Sequence, residues 1–330
     1  MAEFSKLVEL SVDELETKLG GARLTQFIDE SEASFNSQVQ VVAERIINDS
    51  DIKAFFVSGP TSSGKTTFST QFTRRLNEGG RKTYLLSMDD YYKTEDMRYD
   101  EDGRPDFESI DTLDLDLMLD DISKFFAGKE IALPTFEFAS RTRCFEPEKI
   151  IKPQTGDVLI VEGLHGLAPE IINSLPRYNT FGLFIMPHGR VHSDARMISG
   201  SDIRMLRRIS RDVRQRGSSA LATIDYWPMI EREEQDFIPA YLEAADSFIN
   251  TILPYEFMIT ATLARDQIQI SLNELLKGTL LPSRNTINPT GWSDLSAAVR
   301  KATKLVEASA KLPSISPDLV PPASILQEFI

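Results

Sequence analysis

This chain of 330 residues is poor in the residues that build disulfides, metal clusters and membrane spans. It contains one cysteine, Cys144, and three histidines. A single cysteine cannot form a disulfide within the chain or supply a cysteine cluster for a metal, which favours a reducing compartment. No run of about 18 consecutive apolar residues occurs, and the acidic N-terminal stretch lacks the apolar core of a secretion signal. We therefore expect a cytoplasmic protein with no membrane partner.

Positive charge is scarce as well. The 36 lysines and arginines face 50 aspartates and glutamates, so the formal net charge is −14 at pH 7. This charge repels a nucleic-acid backbone, and we expect no nucleic acid as a partner. The apolar fraction of 41% and the charged fraction of 26% are typical of a globular protein, and the length suits one large domain with appendages. The sequence leaves open whether that domain forms a homo-oligomer.

One glycine-rich segment has the composition of a phosphate-binding loop. It reads Gly59-Pro60-Thr61-Ser62-Ser63-Gly64-Lys65-Thr66, a complete G-x-x-x-x-G-K-[ST] pattern, and Thr67 follows it. An apolar run at 52–58 predicts a strand before the loop, and helical spacing at 66–76 predicts a helix after it. Glycines let backbone N–H groups turn toward phosphate oxygens, and the helix N-terminus adds partial positive charge. We therefore predict that residues 59–67 bind a nucleoside triphosphate.

Strand-like and helix-like patterns alternate along the centre of the chain. Strands are predicted at 52–58, 82–87, 157–163 and 181–186, with helical patterns between them. This alternation is typical of an α/β fold in which a parallel sheet carries helices on both faces. A long insert at about 88–151 ends in an alternating stretch that predicts a small antiparallel β unit.

The sequence divides into three parts around this centre. Residues 1–50 form an acidic lead-in that ends in a helix at about 33–48, which we expect to cover a sheet edge. The main domain spans 51–277. Residues 278–330, with a helix at about 293–310 and a proline-broken tail, are predicted to pack on that domain.

Acidic residues at the ends of two predicted strands are candidates for a metal site. Asp89 follows the second strand, and Glu162 closes the third. Ligands bind at the carboxyl ends of parallel strands and Mg²⁺ prefers oxygen ligands, so Thr66, Asp89 and Glu162 are predicted to bind Mg²⁺. Asp89 is also a candidate general base, although its neighbour Asp90 could take that role. Most acids in the helical stretch 111–121 are predicted to face solvent instead.

A basic segment reverses the sign of the charge locally. Its seven arginines within 21 residues are Arg196, Arg204, Arg207, Arg208, Arg211, Arg214 and Arg216. Helical spacing places Arg204, Arg208 and Arg211 on one face, where guanidinium groups could stabilise a transferring phosphoryl group. With a hinge at 217–219, residues 196–218 are predicted to form an Arg-rich lid. The alternative is a basic helix that pairs with the acidic surface.

Further motifs follow the phosphate loop in a fixed order. They are SMDDYY (87–92), DFESID (106–111), LPTFEF (133–138), VEGLHGL (161–167) and RRISRDVRQRG (207–217). The set resembles the uridine kinase and phosphoribulokinase family of P-loop kinases, closest to its bacterial-type uridine kinase-like branch. The resemblance covers most of residues 30–330 and includes a helix like FIPAYLEAADSFIN (237–250). It implies a P-loop kinase fold that uses ATP and Mg²⁺ on a small-molecule nucleoside substrate.

The resemblance also implies roles for individual residues. Asp89 matches the catalytic base, Glu108 a carboxylate that holds the ribose hydroxyls, and Phe136 an aromatic of the base pocket. The catalytic residues implied are Asp89, Lys65 and Arg211, and the ATP-binding residues outside the loop are Arg211 and Arg216. The candidate substrate-binding residues are Asp89, Tyr92, Glu108, Phe136, Arg141, Arg143, Arg208 and Tyr226.

Three positions depart from the family pattern. Arg141 stands where uridine–cytidine kinases have a histidine near the base, Ser218 replaces an arginine after the lid glycine, and Tyr226 replaces a glutamine that reads the pyrimidine edge. A site that hydrogen-bonds one substrate rejects analogues lacking that group by up to about 10⁴–10⁵, so these changes bear on the identity of the base.

We therefore expect a kinase that phosphorylates the 5′-hydroxyl of uridine or cytidine. The alternatives are another acceptor, such as thymidine or a phosphorylated pentose, and a P-loop regulatory protein that hydrolyses nucleoside triphosphate or only binds it. A guanine switch would carry an N-K-x-D motif, which the sequence lacks. The choice between ATP and GTP is not resolved by these residues.

Overall fold

The computed structural model describes residues 7–95, 97–138, 140–176, 179–193, 196–283 and 286–330. The side chain of Arg196, one of the predicted lid arginines, lies outside the described part. The strands are β1 (Val8–Ser11), β2 (Ala54–Ser58), β3 (Thr83–Ser87), β4 (Ile131–Glu137), β5 (Thr142–Ile151), β6 (Val158–Gly163), β7 (Thr180–Met186), β8 (Gly189–His192), β9 (Arg196–Ile198) and β10 (Ser247–Asn250). The helices are α1 (Val12–Lys18), α2 (Gly21–Asn48), α3 (Lys65–Glu78), α4 (Leu115–Phe126), α5 (Pro169–Ile172), α6 (Gly200–Gln215), α7 (Ala220–Ala244), α8 (Thr260–Lys277) and α9 (Leu295–Ser309).

Parallel strands form the central sheet in the order β10-β7-β2-β6-β3. Every residue of β2 and β6 is buried, because both faces of a parallel sheet are covered. Side chains alternate between two cores: Phe55 and Val57 point into the larger one, and Phe56 points into the smaller one on the opposite face. Helices line both cores. The predicted α/β fold, with its parallel sheet and its four strands, is confirmed.

The edge strand β10 corrects one prediction. The helix expected over 237–250 ends at Ala244, and the next residues pair in parallel with β7. Ile249 lies opposite Ile185, and both are fully buried. The Asp246 carboxylate accepts the backbone N–H of Gly182 at 2.7 Å, which fixes the chain at the point where it leaves the helix. The sheet edge therefore supplies apolar contacts and backbone partners that a longer helix would not.

The N-terminal part is more structured than its sequence predicts. The helix expected at about 33–48 is α2, which begins at Gly21 and lies against α3 and the edge strand β10. β1 pairs in parallel with β8, and β8 pairs with β9, so a second sheet of three strands joins the lead-in to the main domain. The buried face of α2, with Phe35 and Val42, belongs to the larger core.

The insert at 88–151 contains the predicted antiparallel unit, the hairpin of β4 and β5. It also contains α4, which begins after Asp114, whose carboxylate accepts the N–H of Leu117 at 3.2 Å. Asp111, Asp116 and Asp120 face solvent as predicted. Asp121 does not: it is buried and accepts a hydrogen bond from the hydroxyl of Tyr91 at 2.9 Å.

The basic segment forms α6, which packs against α7 and α8. Its inner face, with Ile203, Leu206 and Ile209, is part of the larger core. The helix is therefore not a separate body in this structure, and a hinge at 217–219 stays a prediction. α9 lies against α7 and α8, and the residues after it run back over α3. None of the helices in the described ranges is long and apolar enough to cross a membrane.

Candidate nucleotide and acceptor site

The phosphate loop joins β2 to the N-terminus of α3. Gly64 has a φ of +92°, which favours glycine. A Cβ on Gly59 would lie 2.1 Å from the carbonyl oxygen of Ile185, so only glycine fits there as well. No side chain of the described residues caps α3, and its first N–H groups are available to an anion.

Polar atoms of the loop are poised for phosphate. The hydroxyls of Ser62 and Ser63 are buried and have no hydrogen-bond partner among the described residues. Lys65 Nζ donates to the loop carbonyls of Gly59, at 2.7 Å, and Pro60, at 3.1 Å. Burial lowers the pKa of Lys65, and the carboxylates of Glu162 and Asp89 oppose that effect. The two unpartnered hydroxyls fit a bound triphosphate, which would satisfy them.

Two buried arginines of α6 support the loop from behind. Arg204 forms a bidentate pair with Glu234, at 2.5 and 2.6 Å, and also donates to the carbonyl of Thr61 at 3.4 Å. Arg207 is fully buried, pairs with Glu256 through two bonds of 2.7 Å, and donates to the carbonyl of Ser62 at 3.3 Å. Their charges are thus used within the protein, and they position the loop backbone.

The strand ends bring the predicted metal residues to the loop. Glu162 pairs in register with Val57 of β2 and Ser87 of β3, so its carboxylate stands at the carboxyl edge of the sheet. The Ser87 hydroxyl donates to Glu162 Oε1 at 3.2 Å. Burial and the nearby charge of Asp89 raise the pKa of Glu162 to about 7.

These residues suit Mg²⁺ better than a metal held by protein alone. In the described ranges no three His, Cys, Asp or Glu side chains are grouped to hold a metal ion. Mg²⁺ usually takes one or two protein oxygens and completes its shell with water and substrate phosphates. Thr66, exposed at the start of α3, together with Glu162 or Asp89 could supply those oxygens.

Asp89 and Asp90 have different surroundings. Asp90 accepts the backbone N–H of Phe136 at 3.0 Å and pairs with Lys149 at 3.1 Å, so it holds the β4–β5 hairpin. Asp89 is exposed, and no hydrogen bond or ion pair engages its carboxylate within the described residues. Desolvation by the surrounding protein raises the pKa of Asp89, and the positive charge of Lys65 opposes the rise. Asp89 is therefore the carboxylate left free to act.

Glu108 and Arg208 form an ion pair whose carboxylate interacts electrostatically with Lys65 and Asp89. Their side chains are 3.7 Å apart, and Arg208 also donates to the hydroxyl of Thr61 at 2.9 Å. Burial raises the pKa of Glu108, and the charge of Arg208 opposes this. The guanidinium of Arg208 lies 5.4 Å from the ring centre of Tyr226. The Glu108 carboxylate is thus linked through one arginine to the phosphate loop.

Aromatic rings line the same side. Tyr92 lies 5.7 Å from Phe136 and 5.4 Å from Phe138 between ring centres. The Tyr92 hydroxyl donates to the carbonyl of Phe107 at 2.7 Å, and the Tyr226 hydroxyl donates to that of Pro105 at 3.1 Å. Both tyrosines therefore offer ring faces, while their hydroxyl protons are used by the protein.

Two predicted substrate residues make contacts within the protein. Arg143 pairs with Asp114 at 2.8 Å and donates to the carbonyls of Tyr91 and Tyr92, so it braces the backbone that follows Asp89. Arg141 donates to the carbonyl of Glu95 at 3.1 Å and lies at the rim of a cleft with Tyr92. Direct contact of either arginine with a substrate stays a prediction.

One carboxylate organises the arginines that face the site. Asp212 is buried, and its oxygens lie 3.1 Å from Arg208 Nε, 3.2 Å from Arg211 Nε and 3.5 Å from Arg216 Nε. Arg211 is mostly buried, whereas the side chain of Arg216 is 56% exposed. The predicted phosphate-facing arginines are therefore brought together at the end of α6, on a hub that the sequence did not single out.

His165 connects the turn after β6 to the backbone of Glu108. It is 4% exposed, and its two ring nitrogens each lie 2.7 Å from an oxygen, Nδ1 from the Tyr241 hydroxyl and Nε2 from the Glu108 carbonyl. A carbonyl can only accept, so Nε2 carries the proton and Nδ1 accepts from Tyr241. Burial lowers the pKa of His165 to about 4, which keeps the ring neutral.

Sequence reasoning missed the acidic partners of the basic segment. They are Asp212, Glu234, Glu256 and Glu328. Only Asp212 could have been found by spacing, since it lies four residues after Arg208 and four before Arg216. The other three come from distant parts of the chain.

The sheet, the loop between β2 and α3, and the carboxylates at neighbouring strand ends define a P-loop kinase fold. Residues 55–254 match the Phosphoribulokinase / Uridine kinase family, and this chain belongs to that family. Membership supports a kinase-type phosphotransferase that acts on a small molecule and uses ATP, typically with a divalent metal.

Similar proteins carry related names. A uridine kinase of Leuconostoc citreum is 28% identical over 200 residues, which cover 60% of this chain and 85% of that protein. A uridine kinase of Staphylococcus aureus is 27% identical over 199 residues with the same coverage. The structure of a possible uridine kinase from Bacillus stearothermophilus aligns with 66% of this chain and 99% of that chain, at 15% identity and a TM-score of 0.43.

Proposed function

We propose that this chain transfers the γ-phosphoryl group of ATP to the 5′-hydroxyl of a pyrimidine nucleoside, uridine or cytidine. The observation that carries the proposal is the free, exposed carboxylate of Asp89, which interacts electrostatically with Lys65 of the phosphate loop and with Glu108, the ion-pair partner of Arg208. A regulatory nucleotide switch needs no second carboxylate wall opposite its phosphates, whereas a transferase needs one to hold the acceptor.

The residues support an in-line transfer. The oxygen of the acceptor hydroxyl bonds to the γ-phosphorus, and Asp89 accepts the proton of that hydroxyl. The bond from the γ-phosphorus to the β–γ bridging oxygen breaks at the same time, which releases ADP. Lys65 and Arg211 stabilise the charge that spreads over the transferring group. Thr66, Glu162 and Asp89 are the residues that would hold Mg²⁺, which would supply positive charge to neutralise the triphosphate.

The residues around Glu108 support an acceptor that consists of a sugar and a planar base. Glu108 accepts hydrogen bonds, and Arg208 donates them, as two neighbouring ribose hydroxyls require. The partly buried ring of Tyr92, which packs beside the buried Phe136, supports stacking of a base. The names of the similar uridine kinases agree with this assignment. Arg141 and Tyr226, which differ from the usual base-reading residues, make the base the least constrained part of the proposal.

ADP release from ATP tests both the reaction and the acceptor. We expect release only when an acceptor is present, and fastest with uridine or cytidine, when these are compared with thymidine, a phosphorylated pentose and no acceptor. Asp89→Asn should lower kcat by about 10²–10⁴ while the Kd for ATP changes little. Asp90→Asn is the matched control, because Asp90 holds the hairpin, and it should retain most of the turnover.

Other outcomes assign other functions. Rapid release without any acceptor would identify a nucleotide hydrolase, and binding without release would identify a regulator. Release that depends on the phosphorylated pentose alone would keep the kinase and replace the nucleoside. Equal turnover in Asp89→Asn and wild type would remove Asp89 from the mechanism.

A further inference from the structure

Residues far from the family match return to the phosphate loop. The match ends at residue 254, but the turn at Ile325–Glu328 packs against α3. Ile325 Cδ1 lies 3.6 Å from the position that a Cβ on Gly64 would occupy. The segment 324–330 thus forms one wall of the nucleotide site.

Apolar and polar anchors hold this wall in place. Ile325, Leu326 and Phe329 are fully buried in the larger core. The Arg207 guanidinium lies 5.0 Å from the ring centre of Phe329, and Gln71 Nε2 donates to the carbonyl of Ala323 at 2.9 Å. These contacts fix the backbone of the segment, so the side chain that lies between Leu326 and Phe329 also has a defined direction.

That side chain is Glu328, and its carboxylate contacts the site directly. One oxygen accepts a hydrogen bond from the Thr67 hydroxyl at 3.0 Å, and the other accepts from Arg211 at 3.4 Å. The side chain is 15% exposed. Thr67 lies in the first turn of α3, and Arg211 is one of the arginines that pair with Asp212. Glu328 therefore places its negative charge beside the first turn of α3, where it is held by the Thr67 hydroxyl and not by a backbone N–H.

A triphosphate would be drawn to the same partners. Its oxygens would compete with Glu328 for the first turn of α3 and for Arg211, and like charges at such short range repel. The charge of Glu328 also acts on Lys65 and Glu162. It opposes the lowering of the Lys65 pKa by burial, and it adds to the raising of the Glu162 pKa. The carboxylate thus opposes the nucleotide while it keeps the empty site ordered.

We propose that Glu328 is a built-in competitor of the nucleotide phosphates: it positions Arg211 and Thr67 in the empty site and releases them when a nucleoside triphosphate binds. The inference rests on the nucleotide-binding part of the proposed function and on no particular acceptor. Glu328 is a positioning residue that sets nucleotide affinity, and it lies outside residues 55–254, which match the family.

Nucleotide binding without an acceptor gives a sign test. We expect Glu328→Gln to bind Mg·ADP and a non-hydrolysable ATP analogue about three- to tenfold more tightly than wild type, in equilibrium titrations of intact protein. Glu328→Lys should bind more tightly again, because its ammonium group would attract the phosphates. Added salt should reduce both differences. Glu307→Gln is the matched control, since it removes one charge from an exposed position on α9 and should leave affinity unchanged.

Two results would overturn the inference. Weaker binding by Glu328→Gln would make Glu328 a ligand of the nucleotide instead of its competitor, and equal binding by wild type and both variants would reduce it to a structural contact. Thermal unfolding of each variant verifies that the titrated protein is folded. The titration contains no acceptor, so failure of the nucleoside proposal would leave its result unaffected.

Discussion

Replacing His165 with glutamine tests the buried link between the turn after β6 and Glu108. The ring donates from Nε2 to the Glu108 carbonyl and accepts at Nδ1 from Tyr241, and the rings of Phe237 and Tyr241 lie 5.2 and 6.0 Å away. Protonation of Nδ1 would remove the acceptor for Tyr241 and bury a charge among aromatic groups. Glutamine keeps a donor for Glu108 and cannot take up a proton.

The expected effect depends on pH in a defined direction. Burial lowers the pKa of His165 from its usual 6.5 to about 4. Between these values the unfolded chain binds a proton that the folded chain does not, so this contribution to stability is complete above pH 6.5 and is lost as the pH falls through 4. A pKa difference of about 2.5 corresponds to about 3 kcal/mol. At neutral pH, loss of one hydrogen bond should cost His165→Gln about 1 kcal/mol.

The two proteins should therefore exchange their order of stability on acidification. We expect His165→Gln to be about 1 kcal/mol less stable than wild type at pH 7.5 and about 2 kcal/mol more stable at pH 4, in urea unfolding at matched pH values. Glu162, whose raised pKa has the opposite effect between its usual 4.5 and about 7, is present in both proteins and cancels in the difference.

A difference in stability that stays constant with pH would show that the ring is not held neutral, and the hydrogen bonds assigned to it would then be wrong. The ring protons give an independent readout by NMR. Of the three histidines, the one whose signals disappear in His165→Gln should not titrate between pH 5 and 8.

Two other substitutions test the support of the phosphate loop. Arg207→Met leaves the buried Glu256 carboxylate without its partner and should destabilise the protein by about 3–5 kcal/mol in urea unfolding, whereas adding Glu256→Leu should restore most of that loss; a double variant as unstable as the single one would contradict the pairing. Gly59→Ala would place a Cβ 2.1 Å from the carbonyl oxygen of Ile185, so it should displace the loop and abolish measurable binding of a fluorescent ADP analogue, and undiminished binding would refute this geometry.

The parts of the fold that the sequence predicted are those with a strong local pattern. The runs that became β2, β6 and β7 are mostly apolar because both faces are covered, and the phosphate loop has a fixed spacing. β10 was missed because its four residues follow a long helical pattern, and only pairing with β7 distinguishes them. The sheet of β1, β8 and β9 was missed because its strands have only three or four residues each and because β1 pairs with the distant β8.

In the candidate site, residue types were easier to predict than residue partners. Asp89 and Glu162 follow from strand ends, and the structure places both at the carboxyl edge of the sheet. Asp90 has the same residue type and nearly the same position in sequence, yet it binds the hairpin. Glu328 lies 261 residues from Thr67, and no local pattern could join them.

The basic segment shows what a count of charges can and cannot decide. Helical spacing grouped Arg204 with Arg208 and Arg211, but it cannot say which face of a helix is turned inward. In the structure Arg204 and Arg207 pair with buried glutamates and hold the backbone of the loop. Arg208 and Arg211 instead pair with Asp212 at the candidate site. Buried glutamates and backbone carbonyls occupy most of the five N–H donors of Arg204 and of Arg207, so the partners divide the segment into residues that build the loop and residues that can touch a substrate.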